Sequence, residues 1–429
     1  MLFEMWQQTV RRLRDTDALV DVGASRRFTF DELDHQVALL PRSLPGEVVT
    51  ASAADGPASF IAQTLRAWRD GAVLCPCEAS QPDVSLLRGI PPGIAHVKST
   101  SGTTGSARFV LFRKEQLLAD VTNISTTMGF DAARPNLGVI SMAHSYGFSH
   151  LVLPLLLQGM PLWHVADPLP GSMRAAFSSG EKFFLPAVPA MWRAWHHAGI
   201  LTDAPLLLAM SAGAPLPLEL ERDVFETSGV KIHNFYGASE CGGIAYDATP
   251  VPRTDAALVG TPLRGVSVNI NEEGCMVVTS EAVGAGYWPP DSDSAITHST
   301  VTASDLAEIT DNGVRLIGRL SDTINVAGRK LSPSDLESAL LTCPAVKHCV
   351  VFGVPSSDHS RVEDIVACVS GDSSLAQSDL VALLKARLAA WQMPRRWWIT
   401  NSLVPDERGK ISRAKWRSLF MEQRSAIEQ

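Results

Sequence analysis

Ser99-Thr100-Ser101-Gly102-Thr103-Thr104-Gly105-Ser106 crowds hydroxyl side chains around two glycines, between two apolar segments. Glycine lets a backbone come close to a ligand and turn its amides inward, and Ser and Thr hydroxyls donate to phosphate oxygens, so the run suits a phosphate. By composition alone it also suits a solvated linker. No Gly-Lys-Ser/Thr follows, and Phe109-Val110-Leu111-Phe112 reads as a strand, which separates the run from a P-loop that opens a helix. The expectation is a hairpin tip that closes over phosphates, and that places the run within a sheet.

Outward from this hairpin, apolar strands alternate with amphipathic helical stretches through the first two thirds of the chain. Residues 137–142 read as a strand, 148–157 as a helix, 206–210 as a strand, 219–227 as a helix and 230–235 as a strand. The rhythm predicts layered α/β structure with a largely parallel sheet. From about residue 259 short strands and turns take over at 266–270, 276–280 and 314–317, a small β-rich subdomain. After Gly318-Arg319 an α/β rhythm restarts. A helix at 331–341 is entered through Ser332-Pro333, strands follow at 348–354 and 365–370, and a helix at 380–390. The fold class is therefore α/β, with a large layered N-terminal domain over 1–318 and a small α+β C-terminal domain over 319–429.

At 429 residues, with 45% hydrophobic and 19% charged residues, the composition is that of a globular protein with a large core. A net charge of −8 argues against nucleic acid or an anionic membrane as the main partner. The most apolar run, 151–163, is broken by Pro154, Gln158 and Pro161, so no membrane span is expected. The start, MLFEMWQQTVRRLRD, lacks the apolar core and cleavage site of a signal peptide, and the expected location is cytoplasmic. Seven scattered cysteines suit a reducing compartment. Cys75-Pro76-Cys77 and the Cys343 to Cys349 stretch around His348 lack a second Cys/His pair at zinc-like spacing, and they read as buried thiols.

Four further segments carry chemistry. Asn234-Phe235-Tyr236-Gly237-Ala238-Ser239-Glu240 ends a strand with aromatics, a glycine, a hydroxyl and a carboxylate, types that stack a base, touch a phosphate and hold Mg2+. Ser304-Asp305 leads into Gly318-Arg319, a carboxylate for ribose hydroxyls with a guanidinium close by. Asn325 to Glu337 follows, and Pro405-Asp406-Glu407-Arg408-Gly409-Lys410 sets one lysine on a turn near the end.

In order and spacing these segments resemble the adenylate-forming superfamily of acyl- and aryl-CoA synthetases, peptide-synthetase adenylation domains and luciferases. The resemblance runs from about residue 18 to 418. The family's Ser-Gly-Thr-Thr-Gly-x-Pro-Lys stands here as Ser101 to Arg108, with Ala107 and Arg108 in place of Pro-Lys. Tyr-Gly-x-Thr-Glu stands as Tyr236 to Glu240 with Ser239 for Thr, and Thr-Gly-Asp keeps only its acid in Ala303-Ser304-Asp305. The Gly-Arg of the hinge region and the terminal Gly-Lys are intact.

The resemblance implies a two-step ligase: a carboxylic acid and MgATP give an acyl-adenylate and pyrophosphate, then a thiol displaces AMP. The acceptor thiol is CoA or, in the alternative, the phosphopantetheine of an acyl carrier protein; a catalytically silent nucleotide-binding homologue is the third reading. By the same resemblance Thr100, Ser101, Gly102, Thr103, Thr104 and Gly105 hold the β- and γ-phosphates. Gly213, Ala214, Asn234, Phe235, Tyr236 and Gly237 line the nucleotide, with Tyr236 stacked on adenine. Ser239 serves the α-phosphate, Glu240 the metal, Asp305 and Arg319 the ribose region, and Lys410 bridges carboxylate and phosphate. The C-terminal domain is implied to be mobile about the hinge position, which is Ser321 here. Ser141-Met142-Ala143-His144-Ser145-Tyr146-Gly147 resembles the His-x-x-Gly segment of acyl- and aryl-CoA synthetases and puts His144 in the acid pocket. Amino-acid-activating relatives place an aspartate there for the ammonium; this segment has none, which favours a non-amino acid. Only about fifty residues lie between Glu47 and Val97, a shortened N-terminal region.

Overall fold

The structure, a computed structural model, describes residues 1–78, 84–100, 108–290, 295–356, 358, 362–372, 375–405 and 411–427. The chain divides into two compact units. The first comprises Met1–Asn269, Val277–Thr302 and Ile309–Arg315, and the second Ile270–Met276, Ala303–Glu308 and Leu316–Gln429.

Two sheets build the first unit. In one, strands Leu206–Ser211, Phe183–Ala187 and Ile232–Ala238 run parallel, and Gly242–Tyr246 turns back antiparallel on Ile232–Ala238. Phe183–Ala187 is buried at every position, as expected of a parallel strand with both faces covered, and its sequence is accordingly apolar without alternation. The second sheet orders Gly286–Trp288, Arg108–Arg113, Ile94–Thr100, Val73–Cys77 and Val48–Ser52. Ile94–Thr100 and Arg108–Arg113 pair antiparallel with Thr100 opposite Arg108, so the Ser/Thr/Gly run does join two hairpin strands. Its residues 101–107, with Ser101, Gly102, Thr103, Thr104 and Gly105, lie outside the described residues.

Local departures from the sequence reading have local causes. The strand expected at 137–142 is only Asn136–Gly138. Beyond it the Ser141 hydroxyl accepts from the Ala143 amide at 3.2 Å and donates to Glu78, which turns the chain out of the sheet. The helix expected at 148–157 is π-helical over Phe148–Val152 and α-helical over Leu153–Gln158, a change of pitch that leaves Pro154 in a first turn, where its missing amide costs nothing.

In the second unit Val346–Pro355 and Glu363–Gly371 pair antiparallel, and Arg396–Ile399 adds in parallel. One face of this sheet packs Val351, Ile365 and Ala367 against Leu336, Leu380 and Leu384; the other packs Val350, Phe352 and Cys368 against Trp416. The helix expected at 380–390 is Gln377–Lys385, because the Gln392 side chain captures the Ala389 amide at 2.9 Å and closes a separate short turn. Arg413 donates to both Glu337 oxygens at 2.7 and 2.9 Å, to the Val351 carbonyl at 2.7 Å and to Asp322. It thereby clasps the turn Leu320–Asp322, which includes position 321.

Four ionic side chains hold the edge of the first unit's parallel sheet from within. Glu221, fully buried, accepts from Lys231 and from the backbone and Nε of Arg253, both at 2.9 Å. Lys231 also donates to Asp247 at 2.7 Å, and Arg253 to the carbonyls of Leu216 and Leu258 at 2.9 and 2.6 Å. Two carboxylates and two cations cancel, and removing one leaves an unmatched buried charge. Glu221→Ala should therefore cost about 3–5 kcal/mol in urea unfolding. A loss below about 1 kcal/mol, the level of an exposed ion pair, would show that the network is not holding the sheet.

Candidate active site

In open α/β sheets, ligands gather beyond the carboxyl ends of parallel strands, where loops diverge. The site residues of the first unit follow such ends. Glu78 follows Val73–Cys77, His144 lies beyond Asn136–Gly138, Gly213 and Ala214 follow Leu206–Ser211, and Tyr236 to Glu240 close Ile232–Ala238. Thr100 is the last residue of its strand.

The turn after Ile232–Ala238 is steric in origin. A Cβ on Gly237 would lie 2.5 Å from the Gly242 carbonyl oxygen, and one on Gly242 (φ +70°) would lie 2.0 Å from Asp120 Oδ1. No other residue type passes there. Asp120, 3% exposed on the apolar face of helix Lys114–Met128, accepts from the Gly243 amide at 3.1 Å and from Ser149 Oγ at 2.5 Å. Glu240 is set on this anchored turn. Its Oε1 accepts from Tyr287 Oη at 3.2 Å, and the Arg108 guanidinium lies over the Tyr287 ring at 4.5 Å. Ser239 Oγ reaches Ser145 Oγ at 3.5 Å, which brings the Tyr236 segment beside the His144 segment. Asn234 is buried and pairs with Ser211 across the sheet, while Phe235 packs inward and Tyr236 stays half-buried.

His144 precedes the short helix Ser145–Gly147, and Gly147 is forced, because a Cβ would sit 2.0 Å from the Ser141 carbonyl oxygen. The imidazole Nε2 lies 3.2 Å from Glu78 Oε1, with the two side chains 44% and 42% exposed. A contact so exposed adds little stability, about 0–1 kcal/mol even with the imidazole protonated. Its contribution is to hold the ring's orientation. Tyr146 stacks on Phe235 with centroids 6.0 Å apart and planes at 16°.

Four polar residues that the sequence reading does not single out belong here: Glu78, Lys98, Asp120 and His150. Lys98 is 6% exposed, its Nζ is 4.4 Å from the Phe112 ring centroid, and burial pushes its ammonium down from the usual lysine range against the pull of Asp120, Cys241 and Glu240. Cys241, next in chain to Glu240, is also buried, and burial raises its thiol well above the usual range.

Asp305 and Arg319 belong to the second unit, where Arg319 Nε donates to Asp305 Oδ1 at 3.0 Å. The two groups expected close together are thus paired. Lys410 lies outside the described residues.

Glu240 offers one hard carboxylate on an anchored turn, a donor type that would suit a magnesium ion held together with phosphate oxygens. Among the described residues no group of three or more His, Cys, Asp or Glu forms a metal cage. Since Asp120 anchors the turn, Asp120→Ala should weaken ATP binding by about tenfold or more in isothermal titration, about 1.4 kcal/mol. Unchanged ATP affinity in a folded variant would mean that the turn holds its shape without the buried carboxylate.

Residues 93–288 match the family model of the AMP-binding enzyme, and residues 335–410 that of the AMP-binding enzyme C-terminal domain, together more than half of the chain. A feruloyl-CoA synthase of an Amycolatopsis species is 26% identical over 344 residues, 75% of this chain and 69% of that protein. A long-chain-fatty-acid–CoA ligase of Bacillus subtilis (strain 168) is 24% identical over 345 residues, and the match spans 61% of its length. Among solved structures, ATP-bound MatB from Rhodopseudomonas palustris shares the fold with a TM-score of 0.84 at 19% identity, over 98% of this chain and 99% of that one. The o-succinylbenzoate CoA synthetase of Bacillus subtilis, in complex with its acyl-adenylate intermediate, has a TM-score of 0.82 at 16% identity, over 96% and 97% of the two chains. With its motifs in order on this fold, the chain belongs to the adenylate-forming superfamily of AMP-binding enzymes.

Proposed function

We propose that the protein is an acid–thiol ligase that activates a carboxylic acid with ATP and transfers the acyl group to CoA. One observation carries the reading. The Tyr236–Glu240 turn, the His144 segment and the hairpin strands that flank the Ser/Thr/Gly run all lie at the strand ends of one compact unit, tied by the Ser145–Ser239 and Tyr287–Glu240 contacts. The names of the relatives, CoA synthase and CoA ligase, support the acceptor.

In the first step a carboxylate oxygen bonds to the α-phosphorus as the bond to pyrophosphate breaks. In the second a thiol sulfur takes the acyl carbon and AMP leaves. Such transfers require positioning and charge neutralisation more than covalent help from the protein. In this reading Thr100 to Gly105 hold the outer phosphates, Tyr236 stacks on adenine, Ser239 donates to the α-phosphate and Asp305 binds the ribose. Glu240 would hold Mg2+, which supplies charge neutralisation on the triphosphate. Lys410, on the C-terminal domain at 319–429, bridges the acid and phosphate oxygens. Departures at Ala107-Arg108 have a physical counterpart in the Arg108–Tyr287–Glu240 chain, which keeps a guanidinium near the acid where the family pattern has lysine.

The acid is a non-amino acid. Beyond His144, Tyr146, His150, Phe235 and Phe130 pack ring to ring, and the nearby carboxylate, Glu78, is engaged by His144 and Ser141. An ammonium would be desolvated there without a partner. A reducing, cytoplasmic location suits seven free cysteines, and among the described residues no helix is long and apolar enough to cross a membrane.

Incubation with MgATP and a pooled carboxylic-acid library, with and without CoA, read by mass spectrometry, tests the reading. Acyl-CoA is the expected product. Acyl-AMP alone would move the acceptor to a carrier-protein thiol, and no adenylate at all would favour a silent nucleotide-binding homologue. Lys410→Ala should lower adenylate formation at least 100-fold, about 3 kcal/mol of transition-state stabilisation. Wild-type pyrophosphate release from that variant would remove Lys410 from the first step.

A further inference from the structure

The side chain that steadies Glu240 comes from outside the Tyr236 segment. Strand Gly286–Trp288 pairs antiparallel with Arg108–Arg113, which sets Tyr287 opposite Val110. The chain leading into that strand is already tied to the same turn. The Gly284 amide donates to the Glu240 carbonyl at 2.8 Å, and the Ala285 amide to the Leu111 carbonyl at 2.7 Å. With its backbone held in this way, Tyr287 Oη reaches Glu240 Oε1 and donates to it at 3.2 Å. The Arg108 guanidinium lies 4.5 Å from the centroid of the Tyr287 ring. Burial and the charge of Glu240 push the phenol above its ordinary range against the pull of Arg108, so Oη keeps its proton and remains a donor.

This bond divides the two oxygens of Glu240. Oε1 accepts from Tyr287, whereas Oε2 makes no hydrogen bond or ion pair among the described residues. Glu240 is only half-buried on its turn, so a cation from solvent can reach it. Such a cation finds one open oxygen. Divalent cations differ in what they ask of a carboxylate. Magnesium is small, demands octahedral geometry and takes single oxygens from carboxylate, phosphate and water. Calcium is larger, takes about six to eight oxygens and often binds both oxygens of one carboxylate. A hydroxyl resting on Oε1 suits the first ion and handicaps the second. The partner of a ligating carboxylate is in this sense part of the metal site, although it never touches the ion.

We propose that Tyr287 is a positioning residue that makes Glu240 a one-oxygen ligand, so that the nucleotide site takes magnesium in preference to calcium. The inference rests on the reading of Glu240 as the ligand of the ATP-bound metal, and it adds the choice of ion. It also gives Arg108 a task. Its guanidinium, standing where the family pattern has lysine, acts on the metal carboxylate through the tyrosine ring that it covers.

The test measures binding of α,β-methylene-ATP, which cannot be split between its α- and β-phosphorus, to the full chain by isothermal titration, with magnesium or calcium in excess. The wild type should bind the magnesium complex more tightly than the calcium complex by about tenfold or more. Tyr287→Phe keeps the ring, its strand and the Arg108 contact, and removes only the donor. In that variant the ratio should fall to within about threefold, chiefly because the calcium complex gains affinity. Tyr287→Leu, which also lacks the hydroxyl, serves if the phenylalanine variant does not fold. Equal affinity for the two complexes in the wild type, or a magnesium preference that survives loss of the hydroxyl, would overturn the proposal and leave the ligase reading standing. No binding of the nucleotide with either cation would overturn both.

Discussion

A single buried carboxylate organises the first unit's site. Asp120 sits among Leu117, Val121 and Ile124 on the inward face of its helix, where an apolar residue is the ordinary occupant. Its desolvation is offset by the Gly243 amide, the Ser149 hydroxyl and the field of the Lys98 ammonium. Through those contacts one side chain joins the helix after the hairpin, the π-helical segment after His144 and the turn that carries Glu240. These three elements are thus braced on one pair of carboxylate oxygens.

Much of the fold could be read directly. The apolar runs at 206–210 and 230–235 signalled strands of a largely parallel sheet, and the Phe109–Phe112 run separated this hairpin from a helix-opening loop. Motif order carried the family. What escaped was long-range polar contact. Glu78 meets Ser141 across 63 positions of chain, and Asp120 meets Gly243 across 123. Nothing in local spacing encodes such pairings. A partial signal existed for Asp120 and Lys98, because each is a charge in the phase of an apolar pattern. The Tyr287 hydroxyl had no such signal, since its bond to Glu240 spans 47 positions of chain.

Glycine explains why some motif positions admit no alternative while others drift. Gly147, Gly237 and Gly242 each face an atom within 2.5 Å of where a Cβ would be, so substitution there would move the backbone that aims His144 and Glu240. Arg108 and Ser239 stand where the family pattern has Lys and Thr, changes of side chain alone. Shape at this site is enforced by backbone packing, and side-chain chemistry is laid over it with more latitude.

Cys241 shares the anchored turn with Glu240 yet faces the interior, its thiol held protonated by burial and by the negative charges of Glu240 and Asp120. Sulfur attacks an activated acyl group as the anion, so residue 241 is disarmed as a nucleophile. An acyl-adenylate formed beside this turn would be guarded from capture by the thiol next to Glu240, and its electrophilic carbon kept for the sulfur of an incoming acceptor.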